Sequence, residues 1–233
     1  RYPTLMFVVI GNATVDLFVS GMEHIPRFAG DEFTTDSLTF CRKPLQMVLG
    51  GNGANSAYVL ASLGAPTALC TALGRDKPGE IVAGWLAERG VDLSGTLHHP
   101  EQATSTSTIL MDDALNRLTF HHRGASASLR FEDIPARLLE QAEALLVCGY
   151  TLLTAMRGEG FARALAAARA RGATTAIDIG PAIEPPAVLG ELMPLLPLVD
   201  YFLTNAYELA VCTSMDDPEA GAACIREAGA GTV

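Results

Sequence analysis

The sequence predicts a layered α/β fold in which a mainly parallel central sheet carries helices on both faces. Apolar runs of strand length alternate with segments of helix length along most of the chain. Several of these runs are apolar throughout, as strands buried on both faces are. Asn12, Gly149, Asp178 and Asn205 each fall at the carboxyl end of such a run, where open α/β sheets place their ligands.

Taken in order, Met6 to Ile10 is a strand, Asn55 to Leu63 a helix stopped by Gly64, and Pro66 to Leu73 a second strand. Pro78 to Arg89 is a helix capped by Asp76, with Pro near its first turn and Gly90 past its end. Trp85 joins Ile81, Val82 and Leu86 in the apolar stripe of that helix. Further on, Ala136 to Ala144 is predicted helical, Leu145 to Cys148 a strand, Gly160 to Arg171 a helix and Thr175 to Ile179 a strand. Leu189 to Leu195 reads as a short helix, Tyr201 to Thr204 as a strand, Asn205 to Val211 as the start of a helix and Pro218 to Ala228 as another. Gly229-Ala230-Gly231 ends that helix, and an apolar strand is expected to begin at Thr232-Val233.

Two stretches break this alternation. Asp16 to Ser20 with Phe33 to Val48, and Ser105 to Met111 with Arg117 to His121 around the Asp112-Asp113 turn, alternate apolar and polar side chains over strand lengths. They predict extra antiparallel strands, either a separate small sheet or an edge extension of the main one.

A chain of 233 residues that is 49% hydrophobic has ample material for a core. Its net charge of −10 and its lack of clustered Lys and Arg argue against a nucleic-acid surface. The apolar run from Leu192 to Leu198 contains Pro194 and Pro197 and is too short for a bilayer, so no membrane partner is expected. Cys41, Cys70, Cys148, Cys212 and Cys224 are odd in number and scattered, which fits free thiols in a reducing, cytoplasmic compartment. The His98-His99 and His121-His122 pairs point to opposite faces of a strand and are poorly placed to share a metal.

The chemistry concentrates in Gly50-Gly51-Asn52-Gly53-Ala54-Asn55. Glycines let a ligand approach the backbone, and the helix start that follows adds free N–H donors. Asn52 suits a polyol as donor and acceptor, or serves as the helix cap. Asn55 lies inside the helix, where Asn is a poor former and a ligand role is better motivated. Upstream, Asp16 follows a strand and the Gly11-Asn12 turn; its carboxylate can take two neighbouring hydroxyls at once, or stand solvated at a strand end. Asn205 and Glu208 share one face of a helix start, as a ligand pair or as a capping box. Arg123 reaches an anionic substrate or pairs with a surface acid.

These motifs, with Gly74-Arg75-Asp76 and Arg123-Gly124-Ala125 between them, resemble in order and spacing the PfkB carbohydrate kinases, the ribokinase-like sugar and nucleoside kinases. The resemblance covers essentially the whole chain. It implies a three-layer ribokinase-like fold and an ATP-dependent kinase acting on a hydroxyl of a sugar or nucleoside. It further implies a small β lid inserted within about 16–48 and, in addition, 105–121. By the same resemblance Asn12, Asp16, Gly50, Gly51, Asn52, Asn55 and Arg123 bind the substrate. Asn205 and Glu208 would organise Mg²⁺ through water near the phosphates of ATP. The exposed strands of such a lid form an edge that a second copy can cover, which makes a homodimer the expected partner arrangement.

Phosphoryl transfer also needs a base for the acceptor hydroxyl. In the family it is an Asp in a later GAGD motif, and that run does not occur here: Gly229-Ala230-Gly231 is followed by Thr232. No residue of this chain is therefore read as catalytic. Arg1 stands where an initiator Met would, so the chain is expected to lack its start. With the motif missing, either the chain is a piece of a longer kinase, inactive alone, or it is a sugar-binding or regulatory relative without transfer. Asp178 is a weak substrate candidate because Gly180-Pro181 follows where relatives carry polar residues. A nicotinamide site is disfavoured, since Gly11-Asn12-Ala13-Thr14 lacks GxGxxG spacing.

Overall fold

The computed structural model describes residues 6–25, 38–183 and 185–233. The expectation for Phe33 to Val48 falls partly outside these residues. Among the described residues ten strands form two sheets. The larger is parallel throughout and built from β1 (Met6–Gly11), β4 (Thr67–Gly74), β5 (Asp92–His99), β8 (Ala142–Cys148), β9 (Thr174–Asp178) and β10 (Tyr201–Leu203), in the order β10-β9-β8-β1-β4-β5. The smaller orders β2 (Thr14–Met22), β3 (Gln46–Gly50), β6 (Ser105–Asp112) and β7 (Arg117–His122) as β3-β2-β6-β7.

The two-residue period of β1 divides the core. Val8 and Ile10 point into a cluster with Leu138, Leu145, Phe161 and Leu165, under α3 (Ala136–Gln141) and α4 (Glu159–Arg169). Val9 points the other way, to Ala54, Ala57, Val82 and Leu86 on α1 (Asn52–Ser62) and α2 (Lys77–Glu88). All of these are under 1% exposed, so the sheet is sealed on both faces in three layers. Beyond β9 come α5 (Leu189–Leu192), α6 (Ala206–Thr213) and α7 (Pro218–Glu227).

The departures from expectation have local causes. The helix predicted over Ala136 to Ala144 ends at Gln141, because β1 pairs with Ala142 and Ala144 and draws them into the sheet. The helix predicted from Leu189 stops at Leu192, and a single 3₁₀ turn over Leu196–Leu198 follows the proline at 194. Strand β5 was expected only at its end, His98-His99; its mixed polar sequence hides a parallel pairing with β4. The smaller sheet is mixed rather than antiparallel: β2 pairs with β3 and β6 with β7 antiparallel, but β2 runs parallel to β6. The chain builds β4, α2 and β5 of the main sheet between β2 and β6, so β6 can enter in the same direction as β2. Of the described part of 33–48, only residues 46–48 lie in a strand, β3. At the other end Thr232 forms a parallel bridge to Tyr201 and accepts from Phe202 N at 2.7 Å, where a strand was expected to begin.

Candidate functional site

β1 lies between β8 and β4, and the chain leaves β1 toward β4 and β5 before returning to β8 on the other side. The crevice at the carboxyl ends of β1 and β8 is thus a topological switch point, the usual place for a ligand in such sheets. Asn12 and Gly149 flank it.

The floor of the crevice is built from close backbone contacts. A Cβ on Gly53 would lie 2.5 Å from Gly11 Cα, and one on Gly51 2.6 Å from the Asn12 carbonyl oxygen; Gly51 also has φ +87°. Helix α1 therefore starts directly on the end of β1. It begins at Asn52, three residues earlier than predicted, and its N-cap is Gly51 without a side-chain cap bond. Asn52 is thus not the cap. That role passes to Asn12, 3% exposed, whose Oδ1 accepts from Asn52 N at 3.1 Å while its backbone oxygen accepts from Ala54 N.

Asn52 is held at its side chain too. Its Nδ2 donates to Asp178 Oδ2 at 3.0 Å, and the same oxygen accepts from Gly149 N at 3.0 Å. One carboxylate so joins the ends of β8 and β9 to the glycine turn. Asn52, Asn55, Ser56, Cys148, Asp178 and Leu203 line a cleft of about 360 Å³. Asn52 and Asn55 are exposed to it. Burial pushes the Cys148 thiol up to about 12, so it is an uncharged wall at neutral pH.

Asp16 stands on β2 against this floor. Its Oδ1 accepts from Thr14 Oγ1 at 2.8 Å, and a Cβ on Gly50 would lie 2.3 Å from its Oδ2. Gly50 is thus required for the carboxylate to reach the turn. Asp16 is in register with Val48 on β3 and Ser107 on β6, and Ser107 with His121 on β7. Residues directly opposite one another share a face, which makes a polar row Asp16–Ser107–His121. Ser107 Oγ lies 3.1 Å from His121 Nδ1. Desolvation of its ring lowers the His121 pKa, against the opposing field of Asp16 and with that of Arg123. The sequence reading did not bring Ser107 and His121 together with Asp16, though the signal was there: a hairpin folded about Asp113-Ala114-Leu115 sets Ser107 and His121 opposite each other.

Arg123 follows β7, half-buried, and its carbonyl oxygen accepts from Ser105 Oγ. Asn205 and Glu208 form a reciprocal capping box on α6: Asn205 Oδ1 accepts from Glu208 N at 2.8 Å and Glu208 Oε2 from Asn205 N at 3.2 Å. Glu208 Oε1 is the oxygen that the box does not use. Among the described residues no group of three or more His, Cys, Asp and Glu could hold a metal ion. A single carboxylate oxygen fits a partly hydrated Mg²⁺ shared with phosphates and does not fit an all-protein cage. No helix among the described residues is long and apolar enough to cross a membrane.

The family model for pfkB family carbohydrate kinases matches residues 13–233. The chain belongs to the PfkB family. Among curated relatives, this PfkB chain is 29% identical over 136 residues to a nucleoside kinase of Methanothermobacter thermautotrophicus, covering 58% of the chain and 44% of that protein. It is 25% identical over 184 residues to a ribokinase of Haemophilus influenzae, covering 79% and 57%. The chain thus spans about half the length of these relatives. In structure it matches an Arabidopsis thaliana ribokinase complexed with ribose and ATP, with a TM-score of 0.75 at 21% identity, over 97% of this chain and 70% of that one. It matches the adenosine kinase of Sinorhizobium meliloti with a TM-score of 0.76 at 21% identity, over 97% and 73%. The three-layer fold is ribokinase-like.

Proposed function

We propose that this chain binds the acceptor in an ATP-dependent, Mg²⁺-assisted transfer of a phosphoryl group to a hydroxyl of a sugar or nucleoside. The observation that carries the reading is the Asp16 carboxylate set against the Gly50 turn, beside an Asn52 amide fixed by Asn12 and Asp178. A charged acceptor next to an oriented amide matches a pair of neighbouring hydroxyls, and fixing both in advance lowers the cost of ordering them on binding. Asn55 and Arg123 complete the substrate contacts. Glu208 Oε1 contacts Mg²⁺ through water, while Asn205 holds the helix start that faces the phosphates.

The small sheet acts as a lid that covers the acceptor and excludes water from the transfer. A second copy of the chain covers its exposed apolar side chains, Met47, Leu118 and Phe120, in a homodimer. The scattered free cysteines favour a cytoplasmic setting. No Gly-Ala-Gly-Asp run occurs among the 233 residues, so the proton-accepting step is assigned to no residue of this chain.

The test is to incubate the full-length protein with saturating ATP, Mg²⁺ and a panel of sugars and nucleosides, and to detect phosphorylated product by mass spectrometry. Product from any acceptor supports the reading. Tight sugar binding without ATP binding or product replaces it with a binding or regulatory protein.

A further inference from the structure

The polar row on the small sheet does not end at Asp16. Side chains at Asp16, Ser107 and His121 occupy one face of three neighbouring strands, in register, and Ser107 Oγ already engages His121 Nδ1 at 3.1 Å. The far end of the row lies on β7, exposed along its whole length. An apolar face would serve to exclude water there; a serine and an imidazole instead present hydrogen-bonding groups that must be matched when a ligand covers them.

We propose that Ser107 and His121 form a specificity subsite that hydrogen-bonds a polar group of the substrate outside the hydroxyl pair held by Asp16. On a ribofuranose, whose neighbouring hydroxyls fill Asp16, that group is the substituent at the anomeric carbon, a hydroxyl or a heterocyclic base. This inference rests on the acceptor-binding reading above. With Nδ1 engaged by Ser107, the ring keeps Nε2 for the ligand, and Ser107 fixes the plane in which that atom points. The subsite rewards a substrate that bears the polar group and penalises one that lacks it, because a ligand that covers His121 without meeting Nε2 strips water from that atom and offers it nothing in return.

The experiment measures affinities of the full-length protein by calorimetry for D-ribose, adenosine and 1,4-anhydro-D-ribitol, which lacks the anomeric hydroxyl. The wild type is expected to prefer ribose or adenosine to the anhydro compound by about tenfold, the worth of one net hydrogen bond of ordinary to good strength. His121→Leu and Ser107→Ala should erase that preference by weakening the favoured ligand alone. His121→Gln, which restores a donor and an acceptor, should recover it. Equal weakening of all three ligands, or an unchanged preference in His121→Leu, overturns the subsite. A wild type that binds none of the three overturns it alone if the wider panel still yields product, and overturns the acceptor-binding reading with it if no product forms.

Discussion

The floor of the crevice and the small sheet above it are built on opposite plans. In the floor, glycine backbones touch at distances that admit no Cβ, and the two side chains that hydrogen-bond Asn52, those of Asn12 and Asp178, come from the ends of different strands. In the small sheet, β7 is exposed throughout and its polar row depends on register and one side-chain hydrogen bond. The contrast teaches that the floor is fixed by packing, where small changes cost stability, whereas the sheet is fixed by pairing, where side chains can change with little effect on the fold.

The sharpest way to break this comparison is Gly53→Ala. Its new Cβ would meet the Gly11 backbone at 2.5 Å, and backbone cannot rotate aside, so roughly 3 kcal/mol of stability should be lost in urea unfolding. An unchanged midpoint would mean that the floor is not tightly packed. Asp16→Asn should leave stability within about 0.5 kcal/mol. It should instead weaken acceptor binding by about 30-fold, as for a hydrogen bond to a charged group of some 2 kcal/mol. Asp178→Ala removes the acceptor for both the Asn52 amide and Gly149 N, and about 1.5 kcal/mol of stability should go with it. Asp178→Asn, which keeps one carbonyl oxygen, should fall between that variant and the wild type. Asn205→Ala deletes the cap of α6 and should cost about 1 kcal/mol, without altering acceptor affinity.

The smallest effect is a pH dependence confined to the small sheet. His121 has its pKa lowered in the fold from 6.5, so below about that pH the unfolded chain takes up a proton that the folded chain resists. Stability should therefore decline as pH falls from 6.5 toward the folded value, with Asp16 opposing the shift and Arg123 and His122 adding to it. His121→Leu should flatten that part of the curve. At lower pH both proteins should lose the stability that the depressed carboxyls of Asp76, Glu191 and Asp200 supply, because each must then be protonated. If the two curves coincide as pH falls below 6.5, the ring is not held as described.

Much of the fold was legible because its strands are short, apolar and bounded by glycine. Met6 to Ile10 and Pro66 to Leu73 match β1 and β4 closely, since nothing tertiary contests them. The sequence misled where pairing overrode local preference, as at Ala142 and Ala144, which suit a helix but complete β8. Strand β5 was obscured by Ser94 and the two histidines, polar residues on a strand with only one strand beside it. At the site, Asp16 and the Gly50 to Asn55 run were visible as a motif. The cap that Asn12 places on α1 was not, because its donor lies 40 residues away and no local pattern encodes the contact. The hydrogen bonds of Asp178 were illegible for the same reason: its two partners, Asn52 and Gly149, come from distant parts of the chain.

The main sheet passes into the small one at only a few points, and these run in tight pairs. Gly11 leads through Asn12 and Ala13 to Thr14 beside the return at Gly50-Gly51, where a Cβ on Gly51 would strike Asn12 and Ala13. A Cβ on Gly124 would likewise strike the Ala103 carbonyl oxygen, binding the way out of β7 to the way into β6. Mechanically the small sheet is a paddle on a pair of pivots, and one pivot is made of the very residues that face the crevice. Any displacement of the paddle and any contact made in the crevice would be borne by the same few peptide units, with no intervening linkage.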